Sequence, residues 1–235
     1  MNLLLLEPHE LTAPDRAQVS GRRFAHAVAV LGAQDGRRLR VGVIGGALGT
    51  AEVLARTDDR LDLRLDLDAA PPPKLPLDLL IALPRPKVLN RVLASAASLG
   101  VARLVLLNAW KVEKAYWKSP KMAPENLRTQ LLLGLEQARD TVLPELHLAR
   151  LFRAFVEDDL PAFSAGRRTL LADPTGPVPC PRGLEAPTVL AIGPEGGWVD
   201  AERASFRSAG FETVSLGPRI LRTETALAAL IGRLA

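Results

Sequence analysis

The sequence is poor in the residues that form disulfides and metal centres. Its 235 residues include a single cysteine, Cys180. A disulfide within the chain and a thiolate metal cluster both need more than one cysteine, so both are excluded. The three histidines, His9, His26 and His147, lie far apart and lack metal-binding spacing. We therefore expect no metal and a reducing compartment.

Long apolar runs and phosphate-binding fingerprints are also missing. No apolar stretch approaches the ~20 residues that a membrane-spanning helix needs. The start of the chain, MNLLLLEPHEL, has no basic region before its leucines, unlike a signal peptide. These absences predict no membrane association and a cytoplasmic location. Neither GxxxxGK[ST] nor GxGxxG occurs, which argues against a phosphate loop or a dinucleotide fingerprint.

The composition that remains is that of a globular protein. Hydrophobic residues make up 48% and charged residues 24% of the chain, which excludes wholesale disorder. The formal charge is +4, which favours a polyanionic partner such as RNA only weakly, because many basic proteins bind nothing anionic.

The chain changes character at the proline-rich stretch AAPPPKLP (69–76). Before it, short alternating strands around a helix at 21–31 predict a small β-barrel, with Ser20 as N-cap and Gly32 ending the helix. After it, strands alternate with helices, which predicts an α/β domain with a mostly parallel sheet. We place the domains at 1–70 and 75–235. Strands are expected near 77–83, 102–109, 146–150, 168–172, 188–192 and 211–216. Helices are expected near 87–100, 124–140, 155–164, 200–209 and 223–234.

Two strand ends late in the chain are unusual. LAIGPEGG (190–197) and SLGPRILRTETALAAL (215–230) both run from an apolar strand through a Gly-Pro turn to a helix. Ligands in parallel sheets bind at the carboxyl ends of strands, and glycines there let backbone groups meet an adenine edge and a ribose. The alternative is a pair of tight turns with no ligand.

The second stretch also carries a cation where the helix dipole disfavours one. Thr223 is a fair N-cap, and Glu224 in the first turn suits the dipole, but Arg222 does not. A residue placed against a local rule is a functional candidate. The structural alternative is a salt bridge from Arg222 to Glu195 or Glu224.

The stretch NAWKVEKAYWKSPKM (108–122) mixes aromatic residues with lysines. Aromatic side chains stack on bases and lysines follow phosphates, so this segment is a candidate RNA contact. Trp110, Tyr116 and Trp117 are equally suited to cover a core edge or a dimer seam, and the sequence leaves these possibilities open.

IGPEGG (192–197) and LGPRILRTETA (216–226) together closely resemble the RsmE-type 16S rRNA uracil-N3 methyltransferases of the SPOUT class. The resemblance implies a PUA-like, RNA-binding barrel at 1–70 and a trefoil-knotted α/β domain at 75–235. It also implies S-adenosylmethionine in a bent shape, 16S rRNA or the small ribosomal subunit as partner, and a homodimer with sites at its interface. The knot loops would be 170–174, 192–197 and 216–222. The implied cofactor-binding residues are Leu171, Ala172, Ile192, Gly193, Pro194, Gly196, Gly197, Leu216, Gly217, Ile220, Leu221, Thr225 and Ala226.

The same resemblance suggests roles for two charged residues. Uracil N3 must lose its proton, and the negative charge then spreads to O2 and O4. Arg222 is suited to stabilise that charge, while Glu195 is a candidate for the base or for orienting Arg222.

The chain departs from the family pattern in places. Trp198-Val199 replaces Phe-Ser after GPEGG, which predicts a lost capping box, with Asp200 as a substitute cap. HAVAVLG (26–32) lacks two arginines that the family's barrel carries. We therefore predict that Arg22, Arg23, Arg37 and Arg38 contact RNA instead, in addition to Lys111 and Lys114 of the segment 108–122. Three alternatives remain: another rRNA or tRNA target, a non-catalytic RNA-binding homologue, and a nucleotide-dependent enzyme of a doubly wound fold.

Overall fold

The computed structural model describes residues 3–235, and the chain divides into two compact units. One comprises Met1–Pro73 with Leu132–Leu143, and the other comprises Lys74–Leu131 with Pro144–Ala235. Among residues 3–235 no helix is both long enough and apolar enough to cross a bilayer.

The first unit is built on a six-stranded sheet in the order β1-β4-β5-β6-β3-β2. Strand β1 pairs with β4 in parallel, and the other neighbours are antiparallel. The two edge strands are not paired with each other in the described part of the chain, so the predicted barrel is a curled half-barrel. The strands are β1 (Leu4–Leu6), β2 (Leu11–Ala13), β3 (Arg16–Ser20), β4 (Arg38–Val43), β5 (Leu48–Arg56) and β6 (Arg60–Ala69).

Strand β6 shows why this sheet forms one core. Its alternating leucines Leu61, Leu63 and Leu65 are all buried and face the same cluster, as the period of two predicts. Helix α1 (Gly21–Ala29) follows β3 directly, with Ser20 at the predicted N-cap position, although the Ser20 side chain makes no capping hydrogen bond. The helix ends two residues before the predicted boundary, ahead of Gly32 with its φ of +66°.

The second unit holds a seven-stranded sheet in the order β11-β13-β10-β12-β7-β8-β9, and all neighbouring strands are parallel. The α/β prediction is confirmed, and the predicted strands are all present. The one missed strand, β11, has only two residues. The threading that would make the trefoil knot stays a prediction. The strands are β7 (Leu77–Ala82), β8 (Arg103–Leu107), β9 (Glu145–Ala149), β10 (Arg168–Ala172), β11 (Val178–Pro179), β12 (Thr188–Ile192) and β13 (Glu212–Ser215).

The helices of this unit lie at the predicted places, and the last of them follows the final strand. The helix expected at 155–164 is interrupted, because a π-helical turn, Phe155–Asp159, joins two short α-helical pieces. Pro161 just beyond that turn has no N–H for the carbonyl four residues earlier. The helices are α2 (Pro86–Ser98), α3 (Pro124–Ala138), α4 (Phe152–Ala154), α5 (Leu160–Ser164), α6 (Asp200–Ser208) and α7 (Thr223–Leu234).

A buried carboxylate in the first unit predicts an unusual pH dependence of stability. Glu136 is 2% exposed, its Oε2 has no hydrogen-bond partner within residues 3–235, and Arg22 lies 3.9 Å from Oε1. Burial raises the pKa of Glu136 above its ordinary value of 4.5, although Arg22 and Arg23 oppose the shift. The folded state therefore holds this proton more tightly than the unfolded chain, and stability falls as the pH rises from about 4.5 through the raised pKa.

We expect Glu136→Gln to remove the pH dependence of stability that Glu136 causes. The free energy of unfolding, measured by denaturant titration, should become higher for the variant relative to the parent as the pH increases from 4 to 7. Equal pH profiles for the two proteins would mean that Glu136 is solvated in the native state.

Candidate functional site

The loops that follow three parallel strands of the second unit enclose a cavity of about 360 Å³. The loops after β10, β12 and β13 all contribute to its wall, together with the start of α7 and Lys111. These include parts of all three predicted loops, 170–174, 192–197 and 216–222. The strands are parallel, so their carboxyl ends meet at one edge of the sheet, which is the usual place for a ligand in this architecture.

Most of the residues predicted to hold the cofactor line this cavity. Leu171 and Thr225 do not: Leu171 is buried in the sheet on β10, and Thr225 is exposed on α7. The predicted residues in the wall are Ala172, Ile192, Gly193, Pro194, Gly196, Gly197, Leu216, Gly217, Ile220, Leu221 and Ala226.

The glycines of the loop after β12 each have a local reason. A Cβ on Gly193 would lie 3.0 Å from Nε1 of Trp198, and a Cβ on Gly196 would lie 2.8 Å from Cδ of Lys111. Gly197 has a φ of +71°, which other residues adopt only with strain. The sequence predicts that these glycines admit a ligand to the backbone. The nearest neighbours of two of them are instead side chains of the protein itself.

Lys111 links the end of β8 to this loop. Its Nζ donates a hydrogen bond to the carbonyl oxygen of Gly196 at 2.6 Å, and the residue lines the cavity. The sequence grouped Lys111 with Lys114 as an RNA contact. The structure separates them, because Lys114 is exposed beside a different groove.

An ion pair that the sequence analysis missed joins two of the cavity loops. Nη1 of Arg203 donates to Oδ2 of Asp173 at 3.1 Å and to the carbonyl oxygen of Trp198 at 2.6 Å. Burial raises the pKa of Asp173, but hydrogen bonds from Thr175 and Arg203 outweigh it, and the resulting pKa lies below its ordinary value. Asp173 follows β10 and Trp198 follows β12, so Arg203 ties the two loops together. The sequence signal for this ion pair was limited to the position of Asp173 directly after a predicted strand.

The two proposed catalytic residues lie near the cavity but do not contact each other. Glu195 is an exposed part of the wall, and its Oε1 accepts a hydrogen bond from the Arg85 N–H at 3.0 Å. Arg222 is exposed and forms no ion pair with any residue in 3–235. The alternative salt bridge from Arg222 to Glu224 is wrong, because Glu224 pairs with Arg91 at 3.2 Å.

The start of helix α7 also differs from the prediction. Arg222 occupies the N-cap position with extended backbone, and Thr223 is the first helical residue, 5% exposed and in the cavity wall. The Thr223 side chain is therefore packed inward rather than capping the helix. The Arg222 side chain makes no capping hydrogen bond, and the residue lies in sequence between Leu221 and Thr223 of the cavity wall.

Comparisons with known proteins show the family to which the chain belongs. A family model described as an RNA methyltransferase domain matches residues 71–235. The ribosomal RNA small subunit methyltransferase E of Treponema pallidum is 33% identical over 236 residues, covering 97% of this chain and 88% of the relative. This chain belongs to the ribosomal RNA small subunit methyltransferase E family. The ribosomal RNA small subunit methyltransferase E 1 of Borreliella burgdorferi is 24% identical over 230 residues, covering 96% of this chain and 94% of the relative.

A solved structure of the same family has the same fold. The crystal structure of ribosomal RNA small subunit methyltransferase E from Neisseria gonorrhoeae, bound to S-adenosyl methionine, matches with a TM-score of 0.76 at 20% identity. The match covers 98% of this chain and 95% of that one. This likeness confirms the predicted combination of a small N-terminal β unit with an α/β domain, whereas the trefoil knot stays a prediction.

The departure from the family pattern at α6 is smaller than predicted. Val199 has no side-chain acceptor, so half of the capping box is absent, but Glu202 retains the other half by accepting from the Val199 N–H at 3.0 Å. The second oxygen of Glu202 accepts from the Trp110 N–H at 2.7 Å. Asp200 is not the substitute cap, because it is the first helical residue and pairs with Arg203 at 2.6 Å.

The arginines proposed to replace the family's barrel arginines have different surroundings. Arg23 is 20% exposed and lies 3.4 Å from Glu7 and 3.1 Å from Glu10, so its charge is largely neutralised within the unit. Arg22 is half exposed, and Arg37 and Arg38 are exposed. These last three fit an RNA contact better than Arg23 does. No group of three metal-ligating side chains occurs within residues 3–235.

Proposed function

We propose that this protein transfers a methyl group from S-adenosylmethionine to N3 of a uridine in the 16S rRNA of the small ribosomal subunit. Family membership supports RNA methyl transfer to small-subunit rRNA. The observation that carries the cofactor site is the convergence of three loops, from neighbouring parallel strands, on one cavity. The choice of uridine N3 rests on the resemblance to the uracil-N3 methyltransferases. The cell compartment that fits such a substrate is the cytoplasm.

The residues of the cavity fit S-adenosylmethionine. A volume of about 360 Å³ is in the range of small-molecule sites, which combine apolar walls with a few polar groups. Ile192, Leu216 and Leu221 supply apolar surface, and the peptide groups around Gly193 and Gly217 supply donors and acceptors for an adenine edge and a ribose. The bound cofactor supplies an electrophilic sulfonium methyl group.

We assign the remaining chemistry to Glu195 in the cavity wall and to Arg222, which lies in sequence between the wall residues Leu221 and Thr223. Uracil N3 carries a proton that must be removed. We assign this step to Glu195, because it is an exposed carboxylate of the cavity wall, whereas Asp173 is paired with Arg203. As the proton leaves, charge develops on O2 and O4, where the free guanidinium of Arg222 stabilises it. Holding N3 in line with the methyl group contributes several kcal/mol by itself.

The assembly completes the proposal. Residues 1–70 form the RNA-binding domain, residues 75–235 the transferase domain, and two copies form a dimer. Ile220 is 84% exposed, and Leu216 and Leu221 beside it are also exposed. Such an apolar patch suits burial against a second copy. Sedimentation at micromolar concentration tests the dimer.

Mass spectrometry of 16S rRNA, with and without the gene, tests the substrate. We expect one methyluridine to disappear on deletion and to reappear when purified protein and S-adenosylmethionine are added to the unmodified subunits. Methylation of a different rRNA or of tRNA would show that the enzyme has a substrate other than 16S rRNA. Cofactor binding without turnover on any RNA would favour a non-catalytic homologue, and calorimetric binding of NAD instead would favour a nucleotide-dependent enzyme.

A glycine variant tests the cavity itself. Gly193→Ala places a Cβ 3.0 Å from the buried indole of Trp198, which must then shift within the cavity wall. We expect the Kd for S-adenosylmethionine, measured by calorimetry, to rise about tenfold or more, since overpacking costs ~1–3 kcal/mol. Gly232→Ala on α7 is the control, because its Cβ meets no atom within 4 Å. Equal Kd values for the two variants would place the cofactor elsewhere.

A further inference from the structure

Trp110 carries an exposed side chain on a backbone that is hydrogen-bonded to a buried residue. Its side chain is 82% exposed, whereas Trp117 and Trp198 are buried. Its backbone is fixed, because the Trp110 N–H donates to the buried carboxylate of Glu202 at 2.7 Å. The exposure is therefore built into the fold, and a free indole face in water carries a cost that a stacked ligand would remove.

The aromatic side chains near Trp110 make contacts within the protein, whereas the side chain of Trp110 is exposed. The Trp117 indole N–H donates to Oδ1 of Asn108 at 2.9 Å, with Arg150 5.2 Å over its ring. The Tyr116 hydroxyl donates to Glu113 at 2.8 Å. Trp117 thus covers a core edge, which was one of the open possibilities for this segment. The exposed side chain of Trp110 does not cover the core.

Trp110 borders a groove that is separate from the cofactor cavity but next to it. The groove measures about 810 Å³ and has an apolar floor that includes Val112, Phe152 and Val156. It lies at the carboxyl end of β8, the same edge of the sheet as the cavity. The two sites adjoin through consecutive residues, since Trp110 lines the groove and Lys111 lines the cavity.

The charges at the groove are mixed, with one uncompensated cation. Arg153 pairs with Glu157 at 2.7 Å, so these two charges offset each other. Glu202 is buried and accepts two backbone N–H groups. Lys114 has no ion-pair partner within residues 3–235 and is exposed at the rim. A flat exposed ring beside a free lysine is the pairing that binds a base and its phosphate.

We propose that this groove binds a nucleotide next to the target uridine in single-stranded RNA. The base of that nucleotide stacks on Trp110, and its phosphate lies near Lys114. The adjoining Lys111 places the neighbouring nucleotide at the cofactor cavity. The inference rests on the proposed function, because it assigns the groove to the same RNA that the cavity methylates.

The test separates stacking from charge. The Kd for fluorescein-labelled oligouridylate is measured by anisotropy, and the KM is measured with unmodified small subunits. Trp110→Ala should raise both about 5- to 150-fold, the range for one lost base–aromatic stack, with Trp110→Phe close to the parent. Trp110→Ala should keep the slope of log affinity against log salt, whereas Lys114→Ala should reduce that slope by about one charge.

Control measurements keep the alternatives distinct. Val178→Ala removes an exposed apolar side chain at the opposite edge of the same sheet and should leave both constants unchanged. Loss of cofactor affinity in Trp110→Ala would overturn the proposal by placing Trp110 in the cofactor site. Dissociation of a dimer with unchanged RNA affinity would overturn it in favour of a second copy in the groove. Failure of the parent protein to methylate any RNA would instead contradict the proposed function.

Discussion

Arg222→Ala is expected to lower the kcat of methyl transfer about 10²- to 10³-fold, the usual cost of removing one donor that stabilises developing charge. The Kd for S-adenosylmethionine should stay near that of the parent protein, because Arg222 is not part of the cavity wall. Single-turnover transfer from labelled cofactor to unmodified small subunits measures the first quantity, and calorimetry measures the second.

The structure gives reasons to expect that this variant folds. Arg222 is the N-cap of α7 through its backbone alone, its side chain is exposed, and its guanidinium pairs with no residue in the described range 3–235. Arg222→Lys keeps the charge without the planar fork and should recover part of the rate. Arg182→Ala, an exposed arginine outside the cavity, is the matched control. A kcat within threefold of the parent in Arg222→Ala would contradict the role of Arg222.

The sequence predicts the strands and helices of this chain well because their patterns are local. The alternating leucines of RLDLRLDLD (60–68) can satisfy only one face of a sheet, and the apolar runs at 77–83 and 188–192 suit strands covered on both faces. Strand order is different, since it depends on which edges meet in space. No local pattern in the sequence indicates that β12 lies between β10 and β7.

The candidate site shows the same division. The Gly-Pro turns mark the cavity because special backbone conformations leave a trace in one short segment. The bond from Arg203 to Asp173 spans 30 residues and leaves no trace of that kind. The capping prediction at α6 was wrong in part for a similar reason. Glu202 kept its backbone hydrogen bond and gained Trp110 as a second donor from 92 residues away.

Breaking the tie between the cavity loops should affect stability and cofactor binding together. Asp173→Asn keeps the side-chain shape but leaves Arg203 without the buried half of its ion pair. We expect the free energy of unfolding at pH 7 to fall by about 2–3 kcal/mol and the cofactor Kd to rise. Asp200→Asn is the matched control on the same arginine, because Asp200 is 97% exposed and such pairs contribute ~0–1 kcal/mol.

The stability that Asp173 contributes should depend on pH. The pKa of Asp173 lies below its ordinary value of 3.8 in the folded state, so the unfolded chain takes up this proton first as the pH falls. The stability that the charged Asp173 contributes is fully present above about pH 5 and is lost as the pH falls below 3.8 through the folded pKa. Asp173→Asn should lack that loss, so its stability deficit should shrink between pH 5 and pH 2 in denaturant titrations. A deficit that stays constant over this range would mean that the contact acts through shape alone, with the charge on Asp173 contributing nothing.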